Sequence, residues 1–407
     1  MKILLAGGYD TNNLGDHGSL EVFQRDLRKL DPSSEIVVLS RHPDVEFDET
    51  YNVRSILNLD HKNKAESIGR WFNGLNPGDD TGHLKKIWKE LASSDLFVIG
   101  NGRLFVDISL DFMHGPLPYF ALLVTLAKFL NVPVMIFSMT IVPVKSKIGR
   151  TLLKYIVSNA DIITVREESS REELLELGIS GDKINVIPDA AFGLDYIDRK
   201  EGGRQLLAQE GMVLDNKKFV GMNFRHTHLE TSVKKDYYSA LARLCDELYQ
   251  SIKRDILLIP QMTYGIDNPL DDDREVYRLV YENCINKKHI HIIDGRYNVF
   301  DTLAIYQICE MVFSMRRHGI IFAATQHIPV FALSGEKNTS YSMATLGLSG
   351  CIAELSDLDD KKIYQSMING YTRKEIIKKI LSVSLAKIQK QTAKYAEIAL
   401  NLDRDNV

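Results

Sequence analysis

The sequence is poor in features that would tie it to a metal, a disulfide framework or a membrane. Its four cysteines, Cys245, Cys284, Cys309 and Cys351, show no C-x-x-C spacing and no paired framework. That excludes a disulfide scaffold and a zinc knuckle, and leaves reduced thiols belonging to the core. Charge of one sign is also lacking, since 50 basic residues face 54 acidic ones for a net charge of −4. Nucleic-acid proteins are usually basic, so that class is set aside, and any anionic ligand must be caught by a local cluster rather than by the global field. The most apolar stretch, 117–144, is interrupted by Pro118, Lys128 and Pro133. It never reaches the ~18 to 20 uninterrupted apolar residues that a membrane span needs, and divides instead into a helix over 119–130 and a strand over 133–138. The opening MKILLAGG lacks the length and cleavage site of a signal peptide and reads as a first strand. The expectation is a cytoplasmic protein without an integral membrane segment. Familiar phosphate loops are missing too. Gly7-Gly8-Tyr9-Asp10-Thr11-Asn12-Asn13-Leu14-Gly15-Asp16 joins a strand to a helix but matches neither G-x-G-x-x-G nor G-x-x-x-x-G-K-[ST].

What is there is an alternation that runs nearly end to end. Short runs rich in Val, Ile and Leu, at 2–9, 35–41, 95–100, 133–139, 161–166 and 184–188, are apolar on both faces. That is the pattern of parallel strands covered by helices on either side. Amphipathic stretches such as 20–30, 84–91 and 171–177 lie between them. The pattern lapses after Phe192, where 195–218 is charged and holds Gly202-Gly203. It restarts at 219–224, 256–260, 289–293, 311–315 and 329–333. The reading is α/β, with two Rossmann-like domains facing a cleft, over 1–195 and 218–380. Residues 196–217 are the linker, and 381–407 form a C-terminal helix whose periodicity starts near Ile376, with a break expected near Ser382. Lys387, Lys390 and Lys394 share one face of that helix, which reads as solvated; peripheral contact with an anionic membrane surface is the alternative.

Open parallel sheets bind ligands beyond the carboxyl ends of their strands, so the residues just after strands carry the information. The sharpest case is VFSMRRHGIIFAA at 312–324, where a strand should end at Met315 and a helix begin near His318. Arg316, Arg317 and His318 then crowd the positive end of a helix dipole, where each cation is disfavoured by ~0.3 to 1 kcal/mol. One arginine there would be read as the partner of a carboxylate, and one histidine as a satisfied core residue. Three in a row imply an anion held among them, because helix N–H groups and guanidinium forks both suit phosphate and carboxylate. Arg225 and His226 follow the strand 219–224 and bring further positive charge to the same edge. His226 and His228, at i and i+2, do not by themselves make a metal site. In the first half, Asp16 reads as a helix cap. Its functional alternative is that Asn13, Asp16 and Asn101, of Gly100-Asn101-Gly102-Arg103, face a polyhydroxylated acceptor. Asp271-Asp272-Asp273 reads as a solvated helix cap rather than a metal site.

Several of these segments, in this order, resemble the polysaccharide pyruvyl transferases. They are Asn13-Leu14-Gly15-Asp16, Gly100-Asn101-Gly102, Arg166-Glu167 with Ser170, Leu174 and Gly178, and Pro188-Asp189 with Ala191-Phe192. SMRRHGIIFAATQHIPVFAL at 314–333 follows, then Glu336-Lys337 and Leu346-Gly347-Leu348. The chain departs from that pattern at Asn101, at Thr140-Ile141-Val142-Pro143 where glycines are usual, and at Arg317 where an apolar residue is common. The resemblance implies the two-domain fold of the GT-B glycosyltransferases. It also implies transfer of the enolpyruvyl carbons of phosphoenolpyruvate to a sugar as a pyruvate ketal, with phosphate released and with no metal or organic cofactor. On that basis Arg225, Arg316, Arg317, His318 and Lys337 are expected to bind the donor. Arg316 and His318 would be catalytic, with His318 as the acid because an unperturbed imidazole titrates at about 6.5. Asn13, Asp16 and Asn101 would bind the acceptor. The alternatives are a GT-B glycosyltransferase with a nucleotide-sugar donor, for which Glu336 would hold the ribose, and a non-catalytic relative that binds glycans or anions.

Overall fold

The computed structural model describes every residue except 10, 60–65, 67–68, 71–81, 112–114, 215–216, 227–230, 265–270, 334–336, 355–360 and 403–407, and describes only the backbone of 231–236 and 337–338. The chain divides into two compact units. The first comprises residues 1–11, 19–190 and 390–407, and the second residues 12–18 and 191–389.

The first unit is built on a parallel sheet of β1 (Lys2–Ala6), β2 (Glu35–Ser40), β3 (Arg54–Leu57), β4 (Leu96–Gly102), β5 (Val134–Met139), β6 (Ile162–Val165) and β7 (Ile184–Val186). Its strand order is β3-β2-β1-β4-β5-β6-β7. Val, Ile and Leu dominate because the central strands are covered on both faces: β5 is buried along its whole length, and β1 and β4 along nearly all of theirs. Phe23, on the helix Leu14–Leu30, meets Phe137 of β5 at 4.6 Å. The edge strand β3, RSIL, was not expected from the sequence, since its short half-polar run carries no fully buried pattern.

The second unit repeats the design with β8 (Phe219–Asn223), β9 (Asp255–Leu258), β10 (Ile290–Ile292), β11 (Cys309–Ser314), β12 (Val330–Leu333) and β13 (Ile352–Ala353). The order is β10-β9-β8-β11-β12-β13, again parallel. In both sheets the order reverses beside the first strand, which is where a doubly wound sheet opens a crevice for ligands. Register matters here. Ser314 stands opposite Asn223, so Arg316 and Arg225, two positions further along each strand, emerge at the same level of the carboxyl edge.

Two expectations about connections are corrected. The segment 196–217 is not a bare linker, because Lys200–Gln209 is a helix. The glycine pair that suggested a break is a packing device: a Cβ on Gly203 would lie 2.2 Å from the Ala304 carbonyl oxygen, so glycine lets this helix approach Val299–Tyr306 closely. The tail helix runs from Lys374 to Thr392 without a break at Ser382, whose hydroxyl donates to the Lys379 carbonyl at 2.8 Å. That back-bond absorbs the polar side chain inside the helix. A further helix, Lys394–Leu400, follows after Ala393. Ile377, Leu381, Leu385 and Ile388 are buried at helical spacing, while Lys387, Lys390 and Lys394 are exposed. Among the described residues no helix is long and apolar enough to cross a membrane.

Candidate functional site

Three segments at the carboxyl edge of the second sheet, together with the Asn12–Gly18 segment of the same unit, enclose a cavity of about 160 Å³. Its lining includes Asn13, Arg225, Gln261, Arg316, Arg317 and His318. Arg225 leaves the end of β8 in a turn held by buried tyrosines. The Tyr237 hydroxyl donates to the Arg225 carbonyl at 3.1 Å, and the Tyr238 hydroxyl lies 2.8 Å from His226 Nδ1. Burial pushes the Tyr237 phenol well up, so it stays a neutral donor against the pull of nearby Arg225.

The sequence Ser-Met-Arg-Arg-His makes the next wall. The Ser314 hydroxyl accepts from the Arg316 amide at 3.1 Å and donates to the Arg316 carbonyl at 2.8 Å, which turns the chain from β11 into the helix Arg317–Thr325. The N-cap residue, Arg316, makes no side-chain cap hydrogen bond, so the first-turn N–H groups and Arg316, Arg317 and His318 concentrate positive potential at one point. The imidazole of His318 rests on the first turn of the helix Leu14–Leu30: a Cβ on Gly15 would sit 1.9 Å from His318 Nδ1. Gly15 is therefore the residue that lets the ring lie where it does. Asn13, not Asp16, caps this helix, accepting from the Gly15 amide at 3.2 Å. Asp16 lies inside the first turn and is buried.

The third segment follows β9. Gln261 and Met262 line the cavity, and their backbone binds Asn12–Leu14. Leu14 N–H donates to the Gln261 carbonyl at 3.1 Å, Thr263 N–H donates to the Asn12 carbonyl at 3.2 Å, and Asn13 and Met262 form an antiparallel bridge. The Gln261 amide donates to the Tyr306 hydroxyl at 2.8 Å, which donates to Asn223 at 3.1 Å. Its other terminal atom, Gln261 Oε1, is buried without a hydrogen-bond partner among the described residues.

One expectation is overturned by a buried carboxylate. Asp271-Asp272-Asp273 is not a solvated run. Asp272 caps the helix Asp273–Asn283 and pairs with Arg274 at 2.6 Å, whereas Asp273 is fully buried and ion-paired with Arg316. Burial pushes the Asp273 carboxyl up from the usual range, against the pull of Arg316 and of the Gln261 and Met262 amides. Part of the charge on the basic triplet is thus met inside the protein. The Arg316 side chain remains 22% exposed, and its Nε has no hydrogen-bond partner among the described residues.

The structure therefore brings together Asn13, Arg225, Arg316, Arg317 and His318. Arg317 lines the cavity, although nothing in the sequence decided which way it points. Asn101 belongs to the other unit, where it is fully buried within β4. Lys337 opens the helix Lys337–Thr345, but its side chain, like Glu336 and His228, lies outside the described residues. Gln261, Asp273 and Gly15 were not assigned a site role from the sequence. Gln261 could have been found by the strand-end rule that found Arg225; Asp273 could not, because its burial arises only when Gln261, Met262 and Arg316 close around it. A larger cavity of about 770 Å³ lies at the opposite, amino edge of β11 and β12, lined by residues such as Glu310, His327 and Lys378. No strand carboxyl ends converge there, and Glu310 is already bound to Lys374 at 2.7 Å and to Tyr371 at 2.6 Å.

The family model for polysaccharide pyruvyl transferase matches residues 13–337, a span that contains every lining residue of the basic cavity except Thr339. The amylovoran biosynthesis protein AmsJ of Erwinia amylovora is 22% identical over 395 residues, covering 91% of this chain and 92% of its own. Among solved structures, UDP-GlcNAc 2-epimerase from Neisseria meningitidis, bound to UDP-GlcNAc, superposes with a TM-score of 0.61 at 14% identity, covering 99% of each chain. HepE of Anabaena, in complex with UDP and glucose, gives 0.60 at 14% identity and 99% of each chain. A glycosyltransferase from Rickettsia africae gives 0.59 at 14% identity and 98% of each chain. At these identities the likeness shows the fold: two Rossmann-like domains of the GT-B kind.

Proposed function

We propose, from the premise that this chain belongs to the polysaccharide pyruvyl transferase family, that it moves the enolpyruvyl unit of phosphoenolpyruvate onto a sugar of a polysaccharide or glycan precursor, in the cytoplasm. The observation that carries this reading is the convergence of Arg225, Arg316, Arg317 and His318 on one small cavity at the amino end of a helix. A donor with a phosphate and a carboxylate on one three-carbon frame matches such a set of forks, because each guanidinium can grip an oxyanion through two parallel N–H bonds. Size favours the same donor over a nucleotide sugar. The volume of about 160 Å³ falls below the roughly 300 to 1,000 Å³ of sites for drug-sized ligands.

Protonation of the donor's methylene carbon gives an oxocarbenium-like centre at the neighbouring carbon, and a sugar hydroxyl attacks it. The carbon–oxygen bond to phosphate then breaks, and a second hydroxyl of the sugar closes the ketal. Of the two hydroxyl protons lost, one balances the proton delivered to carbon and the other leaves with phosphate. His318 is assigned as the acid, held in place by the Gly15 backbone. Arg225 and Arg316 grip the phosphate and carboxylate, where fixed positive charge stabilises the leaving group. Asn13, beside them in the cavity wall, is placed to touch the acceptor hydroxyl, with Asp16 of the same segment as a further acceptor contact; Asn101, fully buried within β4, takes no part in this site. No metal or organic cofactor takes part in this scheme.

The test is release of phosphate from phosphoenolpyruvate in the presence of a glycan acceptor. Arg316→Ala and His318→Ala should each lower turnover at least ~100-fold, the scale of losing one preorganised charge-stabilising group. Unchanged turnover in both variants overturns the assignment. Thermal-shift titration separates the donors, since a bound ligand raises the melting temperature: phosphoenolpyruvate should stabilise the protein and UDP-glucose should not.

A further inference from the structure

We propose that Asp273 is a positioning residue for the donor site, acting through Arg316; this rests on reading the basic cavity as the place where the donor binds. The carboxylate is fully buried at the first turn of Asp273–Asn283, and it faces two ways. One oxygen takes the Arg316 ion pair, and the other accepts from the Gln261 amide at 3.0 Å and the Met262 amide at 3.1 Å. Asp273 N–H in turn donates to the Met262 carbonyl at 2.8 Å. Because Gln261 and Met262 carry the backbone contacts to Asn13 and Leu14, this one carboxylate ties the segments after β9 and β11 to the Asn12–Gly18 segment of the cavity wall.

A buried charge needs compensation, and Asp273 has it: one cation and two amides. The cation is not used up in return. Arg316 keeps a fifth of its side chain exposed and lines the cavity, and its buried Nε has no partner among the described residues, so the pair engages one terminal nitrogen and leaves other guanidinium donors unspent. An arginine held in this way cannot swing to follow the ground-state phosphate, and stays where charge develops as the carbon–oxygen bond breaks. Preorganisation of that kind shows in turnover more than in binding. Removing the charge of Asp273 also removes an anion adjacent to the bound donor, so binding should not weaken.

The experiment is a double-mutant cycle on the full chain with Asp273→Asn, Arg316→Gln and the pair, read as phosphate release from phosphoenolpyruvate with a glycan acceptor. The expected result for Asp273→Asn is a kcat lowered at least tenfold with KM for phosphoenolpyruvate unchanged or lower. The double variant should fall within twofold of Arg316→Gln alone. Losses that multiply, or a raised KM with an unchanged kcat, overturn the proposal. Should Asp273→Asn not fold, the cycle is run with Asp273→Glu, which retains the charge and should keep more activity than Arg316→Gln while still showing no added loss in the double variant. The same cycle on calorimetric binding of inorganic phosphate separates the two readings. A wild-type protein that binds phosphate but releases none from phosphoenolpyruvate sinks pyruvyl transfer alone. Independent, multiplying effects of the two substitutions on phosphate affinity sink the role of Asp273 alone.

Discussion

The two sheets follow the same strand order, the first with one strand more, and each holds an arginine–aspartate pair with a fully buried carboxylate just past the carboxyl end of a strand. In the first unit Arg166, following β6, pairs with Asp189 at 3.0 Å, with the side chains 3% and 0% exposed. Arg166 Nε also donates to the Ser138 hydroxyl at 3.2 Å, and that hydroxyl accepts from the Ala190 amide. In the second unit Arg316 pairs with Asp273 but stays partly exposed beside a cavity. The switch points differ in the same sense. A Cβ on Gly7, after β1, would lie 1.8 Å from the Gly100 carbonyl oxygen, so the first unit brings backbone against backbone there. The second unit puts Arg225 and Arg316 at the corresponding place. An ion pair is therefore no sign of function or of its absence; what decides is whether donors and exposure remain after the pair has formed.

This contrast can be broken most sharply at Arg166. Replacing it with Met leaves Asp189 buried without its cation, which costs about 3 to 5 kcal/mol. The melting temperature should fall steeply while kcat per folded molecule changes less than twofold. Arg316 substitutions also strip the buried Asp273 of its cation and should cost stability too, but with them kcat per folded molecule should fall; a dead but stable Arg166→Met protein would sink the comparison. A smaller effect sharpens it at Gly15. A helical Gly→Ala change adds about 0.5 to 1 kcal/mol of stability by itself. Here the new methyl overlaps the His318 ring, so the ring and not the helix should yield. Gly15→Ala is expected to keep or raise the melting temperature and to lower turnover about tenfold; wild-type activity would show that His318 does not need that position. The smallest effect concerns pH at the amino edge of the second sheet. Burial alone would raise the Glu310 carboxyl, but hydrogen bonds from Lys374, Tyr371 and Lys218 outweigh it and hold the pKa at about 2. Since the folded value lies below the unfolded one, the stabilisation is complete above the unfolded pKa of about 4.3 and is lost as pH falls toward 2. Glu310→Gln should flatten the acid limb of the stability curve by on the order of 1 to 3 kcal/mol, leaving the curve above pH ~5 parallel to that of the wild type. An unchanged acid limb would mean that the Lys374 cluster contributes nothing.

The alternation of β-branched runs with amphipathic stretches places most strands to within a residue or two, because a strand buried on both faces has to be apolar throughout. The strands β3 and β13 escape that rule, since β3 has no fully buried residue and β13 is only two residues long. The run Arg316-Arg317-His318 is legible as a site because it violates the helix-dipole preference three times, and the structure begins a helix at Arg317, within a residue of the expected start. Gly203 misled for the opposite reason: a glycine that permits close packing looks the same in sequence as one that ends a helix.

The order of elements, the parallel character of both sheets and the concentration of positive charge after β8 and β11 were decided by the sequence alone, through local periodicity and the dipole of one helix. The tertiary structure decided that Asp273 is buried against Arg316, that Gly15 carries the His318 ring, and that Asn13 shares a wall with Arg225. These are contacts between residues far apart along the chain, and burial and pairing between such residues come into being only when the backbone closes around them.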